Sequence, residues 1–184
     1  MKSALPALLA LLLLVPSTAA AEGDDGQWHE DLDEALEVAR SADPPKNLLV
    51  DLWADWCLAC KKLEQDVFST PQFQEFAQRY VLLRVDTEDG DEGTRLKERF
   101  NIDALPTTLL LSPDMVKIGA LQGYLKTDQY IQNLELERMM YVLLVKAHKE
   151  VHNGTDPETT KMMADDFHSR HDGARASSLY RRLV

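Results

Sequence analysis

Asn47-Leu48-Leu49-Val50-Asp51-Leu52-Trp53-Ala54-Asp55-Trp56-Cys57-Leu58-Ala59-Cys60-Lys61-Lys62 reads as a strand running directly into a helix that opens on two cysteines. The nearly continuous apolar run over 47–53 has strand length, and its lack of alternation is that of a central strand covered on both faces. Asp51 is the anomaly in it. Cys57 and Cys60 are the chain's only cysteines. At i and i+3 on a helix they share a face, close enough to form a disulfide or to share a metal.

What such a pair is for depends on where the chain works. Lys2, the apolar run Leu5 to Val15 and the small residues Ala19-Ala20-Ala21 have the anatomy of a secretory signal peptide cut after residue 21. That run is 11 residues, well short of the roughly 20 that span a bilayer, so an uncleaved amino-terminal anchor is the lesser alternative. The expected location is secreted or periplasmic. A formal charge of −11 argues against nucleic acid and against an anionic membrane surface as partners; its plain reading is solubility. Exported chains use cysteine pairs as staples between distant segments, but a loop this short constrains little of the unfolded chain. Structural zinc wants four ligands, and no second Cys-x-x-Cys exists. Redox chemistry needs only these two residues.

Working outward, Leu32, Ala35, Leu36 and Ala39 recur at helical spacing, so 31–42 reads as an amphipathic helix stopped by Asp43-Pro44-Pro45. A helix begins near Cys57 with Leu63 and Val67 on its apolar face, and Thr70 with Pro71 opens a second segment. Residues 80–86 form the next strand, and 86–93 an acidic, solvated loop whose glycine and distal acid fall in the wrong places for a calcium loop. A short helix over 94–100 follows, then a strand over 107–111 and an antiparallel partner over 115–121. Thr127 is the expected cap of a long helix to 149, with Tyr130, Ile131, Leu134, Leu136, Met140, Leu143 and Leu144 as its apolar positions. Helices alternating with strands, then a strand pair, imply an α/β layer fold with a mixed sheet. The expected organisation is a signal peptide over 1–21, one domain over 22–150 and a helical tail over 151–184.

The thiolate is the nucleophile in thiol–disulfide exchange. Cys57 at a helix start would have its thiol pKa lowered by the unpaired N–H groups, with Lys61 and Lys62, both pointing to solvent, adding positive charge. On this reading Cys57, beside an exposed Trp56, attacks a substrate disulfide. Cys60, one turn deeper, resolves the mixed disulfide.

Val50-Asp51-Leu52-Trp53-Ala54-Asp55-Trp56-Cys57-Leu58-Ala59-Cys60-Lys61-Lys62-Leu63-Glu64, then Val67-Phe68-Ser69-Thr70-Pro71-Gln72-Phe73, Leu82-Leu83-Arg84-Val85-Asp86 and Leu105-Pro106-Thr107-Thr108-Leu109-Leu110-Leu111, resemble the thioredoxin superfamily. Within it the likeness is to the periplasmic C-terminal domain of the thiol:disulfide interchange protein DsbD and its relatives, over roughly 28–149. The resemblance implies a thioredoxin-like three-layer sandwich around a central mixed sheet, with the tail as a C-terminal helical appendage that has no counterpart. It implies a cis Pro106 that sets Leu105 and its backbone beside the cysteines, and Gly123 as another wall of the substrate groove. It also implies that Asp51 is the buried carboxylate behind Cys60; otherwise Asp51 is a tolerated polar residue on an edge strand. An unpaired buried carboxylate costs kilocalories, and burial would raise its pKa and suit it to exchange protons with Cys60. Two departures stand out. The lysine that pairs with this carboxylate in many thioredoxins is matched by Leu82, with Arg84 two residues on as a substitute, and Leu58-Ala59 replaces Gly-Pro between the cysteines.

The expected function is an exported thiol–disulfide oxidoreductase working as a reductant. Leu58-Ala59 offers no donor to stabilise a thiolate heavily, so the potential should lie nearer the thioredoxin value of about −270 mV than the strong-oxidant value of about −120 mV. The resemblance implies a membrane electron donor and oxidised protein substrates. No cofactor beyond the Cys57–Cys60 disulfide and no metal are expected; His148 with His152, and His168 with His171, read as ordinary surface histidines. No dimerisation segment is evident, so a monomer is expected. The rivals are a disulfide oxidase or isomerase, and a non-catalytic binding or assembly module.

Overall fold

The structure is a computed structural model and describes residues 27–151 and 155–184; the expected signal peptide and His152 lie outside them. In order, the elements are β1 (Trp28–His29), α1 (Leu32–Ser41), β2 (Asn47–Trp53), α2 (Leu58–Leu63), α3 (Pro71–Ala77), β3 (Tyr80–Asp86), α4 (Glu92–Arg99), β4 (Thr107–Leu111), β5 (Lys117–Gln122), α5 (Thr127–Glu150), α6 (Pro157–Ser169) and α7 (Gly173–Tyr180). A π-helical turn over Glu64–Phe68 continues α2.

The five strands run β1-β3-β2-β4-β5 across the sheet. β3 is parallel to both β1 and β2, while β4 is antiparallel to β2 and β5 to β4. The mixed sheet and its helices are the expected thioredoxin-like sandwich. Strand side chains alternate between faces, and the core divides accordingly. Leu48, Val50 and Leu52 pack with Val81, Leu83 and Val85 under α1 and α4. Leu49, Leu82 and Leu110 pack under α2, α3 and α5, against Leu63, Val67, Phe73, Tyr130 and Leu134. β2 is therefore central, and Asp51, 1% exposed, lies inside the sheet; the edge-strand alternative for it is corrected.

Local chemistry sets the element ends. Asp31 caps α1 by accepting from the Glu34 N–H at 2.8 Å, and Thr70 caps α3 with Pro71 behind it, each cap stabilising by about 1 kcal/mol. α4 starts two residues before Thr94, whose hydroxyl instead donates to the Thr87 carbonyl. β5 starts at Lys117 because Met115 has φ of 60° and the Ser112 hydroxyl accepts from Asp114 and Val116, which makes 112–116 a turn. Thr127 does not cap α5: its hydroxyl donates to the Asp66 carbonyl. β1, which pairs with Leu82 and Leu83, went unread because two residues carry no periodicity.

α5 changes partners along its length. Its first half lies on the sheet, where Gly119 permits the approach: a Cβ there would come within 2.4 Å of the Glu137 Cβ. Its second half offers Tyr141, Leu144 and Val145 to α6 and α7, which bury Ala164, Phe167, Ala176 and Leu179 with Val151. The tail is also hydrogen-bonded to the domain. The Lys117 N–H donates to the Arg170 carbonyl at 2.8 Å, and the Arg170 guanidinium donates to the Ile118 carbonyl at 2.8 Å. Leu136, Met140 and Leu143 are exposed, against the expectation that they pack.

Candidate active site

The end of β2 delivers Trp53 to Asp55, and the Cys57 N–H bonds the Ala54 carbonyl at 3.0 Å. That turn places Cys57 at the N-cap of α2, where its Sγ accepts from the Cys60 N–H at 3.1 Å. Cys57 and Cys60 form a disulfide with Cα atoms 5.3 Å apart. Both are buried, Cys57 at 3% and Cys60 at 1%, beside Trp56 at 67% and Leu58 at 81% exposure. An N–H directed at Sγ stabilises a thiolate at that position once the disulfide is reduced.

Leu105 packs on the cluster made by Ala54, Cys57 and Cys60. The Leu105–Pro106 peptide is cis, as the resemblance implies. The Pro106 carbonyl accepts from the Gly123 N–H at 2.8 Å, and Gly123 has φ of 88°, a conformation that favours glycine. So Leu105, Pro106 and Gly123 sit together, with Leu105 against the cysteines. Both lysines after the motif are exposed, but neither is free: Lys61 pairs with Asp55 at 3.0 Å, and the Lys62 ammonium lies 4.6 Å over the Tyr124 ring.

Asp51 shares the sheet face of Leu49, the face that α2 covers. Its Oδ2 lies 3.4 Å from the Arg84 Nε without an aligned hydrogen bond, and its Oδ1 has no hydrogen-bond partner. Arg84 aims its terminal nitrogens at Glu64, at 2.9 and 3.0 Å, and stacks 4.7 Å over Trp53. Burial pushes the Asp51 carboxyl up to about 7; Arg84 opposes that shift and Glu64 adds to it. The hydrogen bond from Arg84 holds the Glu64 carboxyl below its ordinary value. Arg84, Glu64, Trp53 and Lys61 line a cavity of about 510 Å³ that opens beside this trio.

Arg84 is thus the cation facing Asp51, the substitute two residues beyond the position matched by Leu82. In the parallel register of β2 and β3, Asp51 stands opposite Arg84, whereas Leu82 is opposite Leu49 in the core. The signal was present, since two seven-residue strands aligned end to end give that pairing. Glu64 was missed because it looks like any exposed helix acid. Among the described residues, no three His, Cys, Asp or Glu side chains gather as a metal site. His148 bonds the Ser178 hydroxyl and His171 the Arg99 carbonyl.

Residues 27–113 match the family model described as Thioredoxin-like. The thiol:disulfide interchange protein DsbD of Haemophilus influenzae strain PittGG is 36% identical over 105 residues, covering 55% of this chain and 18% of that protein. DsbD 1 of Pseudomonas aeruginosa is 36% identical over 106 residues, with 54% and 18% covered. The chain thus spans less than a fifth of the length of these relatives. Among solved structures, the oxidised C-terminal domain of Neisseria meningitidis DsbD superposes with a TM-score of 0.52 at 23% identity, covering 61% of this chain and all of that one. A putative disulphide-isomerase from Bacteroides thetaiotaomicron gives 0.52 at 27% identity, with 60% and 89% covered. Fold, cysteine pair and comparisons agree that residues 27–113 form a thioredoxin-like domain carrying the Cys57–Cys60 pair. In sequence this domain is similar to part of the thiol:disulfide interchange protein DsbD.

Proposed function

We propose that the protein is an exported protein-disulfide reductase. The observation that carries the reading is Cys57 at the N-cap of α2, disulfide-bonded to Cys60 and packed under Leu105. In the reduced protein the Cys57 thiolate attacks one sulfur of a substrate disulfide. The substrate S–S bond breaks, a Cys57–substrate disulfide forms, and the departing substrate sulfur takes a proton from water. Asp51, ionised above about pH 7, accepts the Cys60 proton. The Cys60 thiolate then attacks Cys57 Sγ, closing the Cys57–Cys60 disulfide and expelling the second substrate thiolate. Two electrons pass from the dithiol to the substrate.

Cys57 is the attacking residue on this reading because it holds the cap position and is the less buried of the two. The backbone at Leu105 and Pro106, the wall at Gly123 and the exposed Trp56 ring form the groove for an extended substrate segment. The dithiol is regenerated by a membrane-bound electron donor, and the site needs no cofactor beyond the disulfide. Export rests on the leader at 1–21; no helix among the described residues is long and apolar enough to cross a membrane.

Equilibration with glutathione or dithiothreitol buffers tests the direction of electron flow, with a midpoint near about −270 mV expected. A midpoint near about −120 mV would make the protein an oxidase instead. Cys60→Ala should accumulate mixed disulfides on Cys57 in the native compartment. If no partner is trapped and Cys57→Ser keeps full function in vivo, the domain is a binding module.

A further inference from the structure

The groove at the disulfide is assembled from parts that lie far apart in the chain: Cys57 at the start of α2, Leu105 and Pro106 before β4, and Gly123 after β5. An extended segment can bridge them only if their spacing is held. Three consecutive residues at the β5–α5 joint hold it. The Gln122 Nε2 donates to Asp103 Oδ1 at 2.8 Å and the Gly123 N–H to the Pro106 carbonyl at 2.8 Å, so both tie the joint to the loop before β4. Tyr124 ties it the other way. Its hydroxyl donates to Asp66 Oδ2 at 2.9 Å, on the helical segment that continues from the cysteines.

Other contacts reinforce this second tie. Thr127 Oγ1 donates to the Asp66 carbonyl at 3.1 Å, so Asp66 receives the joint through both its side chain and its backbone. The Lys62 ammonium, two residues beyond Cys60, lies 4.6 Å over the Tyr124 ring and is attracted by its face. The ring itself packs on the core cluster that contains Leu63 and Val67. Asp66 sits on the π-helical turn over Glu64–Phe68, where the Ser69 N–H bonds the Glu64 carbonyl at 3.2 Å, five residues back. The wider turn rotates the side chains after Leu63 away from the directions an unbroken α-helix would give them. Turns of this kind inside helices recur at functional sites.

We infer that Tyr124 is a positioning residue for the substrate segment: through Asp66 it fixes the spacing between Gly123 on one wall of the groove and the helix that carries Cys57 on the other. This deepens the reductase reading and rests on it. The effect falls on binding rather than on the sulfur chemistry, because the cap geometry of Cys57 comes from Ala54 and from α2 itself.

Single-turnover reduction by the prereduced full chain tests this with two disulfides: insulin, whose chain must lie in the groove, and hydroxyethyl disulfide, which needs only Cys57. Tyr124→Phe keeps the ring over Lys62 and removes the hydroxyl. Asp66→Ala removes the acceptor, while Asp66→Asn keeps an oxygen that accepts. Tyr124→Phe and Asp66→Ala should each raise the half-saturating insulin concentration by roughly threefold to tenfold, the effect of losing one hydrogen bond. The plateau rate and the midpoint potential should not move, and the loss should be absent with hydroxyethyl disulfide. Asp66→Asn should recover most of the insulin affinity, and the double variant of Tyr124→Phe with Asp66→Ala should be no worse than either alone, since both remove the same contact. Unchanged half-saturation in Tyr124→Phe would overturn the proposal. So would an equal loss with both disulfides, or a loss in Tyr124→Phe that Asp66→Ala does not share. A parent that reduces neither disulfide would overturn the reductase reading and this proposal with it; a parent that reduces both leaves that reading standing however the variants fall.

Discussion

At the scale of single residues, Asp51 sets the terms. Its folded pKa of about 7 stands above the ordinary value of 3.8, so the folded protein holds this proton across a range where the unfolded chain has released it. The contribution of the group to stability is therefore fully present below about pH 4 and is lost as pH rises through about 7. A shift of roughly three units corresponds to a loss on the order of 4 kcal/mol. Asp51→Asn should remove that slope, making the variant several kcal/mol more stable than the parent at pH 8 and little different at pH 4. Urea unfolding of both oxidised proteins at the two pH values checks this, and equal differences at both would contradict the assigned ionisation. The same substitution should slow closure of the mixed disulfide above pH 7, because Cys60 loses its proton acceptor. Arg84→Met removes the cation that restrains Asp51, so the carboxyl should titrate higher still. Arg84→Lys should restore most of the restraint but lose the paired contacts to Glu64. Carbon-detected NMR titration of Asp51 reads both directly.

At the scale of elements, the site depends on joints between helices and strands. Gly123 turns the chain from β5 toward α5 with positive φ while its N–H bonds the Pro106 carbonyl. Gly123→Ala should cost about 1 kcal/mol in unfolding free energy. It should also weaken substrate binding more than it lowers the maximal rate, since the cysteines keep their own helix; chemical denaturation and reduction kinetics separate the two effects. These joints also show what the sequence could convey. The strand over 47–53, the cysteine helix, the Thr70 cap and the strand at 107–111 were legible because each carries local chemistry or an unbroken apolar run. Asp51 was legible as an anomaly and Arg84 as a substitute for the lysine matched by Leu82, and the end-to-end register of the two strands sets Arg84 opposite Asp51. The outer stripe of α5 was misread. Periodicity shows which residues share a face but says nothing of whether anything covers that face. Leu136, Met140 and Leu143 were therefore counted with Tyr130 and Leu134 although they lie on the opposite side.

At the scale of the whole molecule, the open matter is what the tail contributes. α6 and α7 have their own small core, shared with the second half of α5, and their hydrogen bonds reach β5, the edge of the sheet. An edge strand left bare is a template for pairing with another chain. Arg170 closes part of it, its carbonyl taking the Lys117 N–H and its guanidinium the Ile118 carbonyl. The small core of α6 and α7 and the cluster of Ala54, Cys57 and Cys60 are distinct groups of buried residues. The tail is therefore expected to act on stability and on the edge of the sheet. Arg170→Ala removes a charged donor with two carbonyl contacts. It should lower stability by about 1.5–3 kcal/mol, which for a chain of this size is a fall in the thermal midpoint of roughly 3–12 °C. Deleting 155–184 should lower the midpoint further and produce aggregates by way of β5, while freshly isolated monomer reduces a model disulfide within about twofold of the parent rate. Scanning calorimetry and a single-turnover reduction assay measure the two parts. A deleted chain that stays folded and monomeric but no longer reduces disulfides would place the tail within the working site rather than beside it.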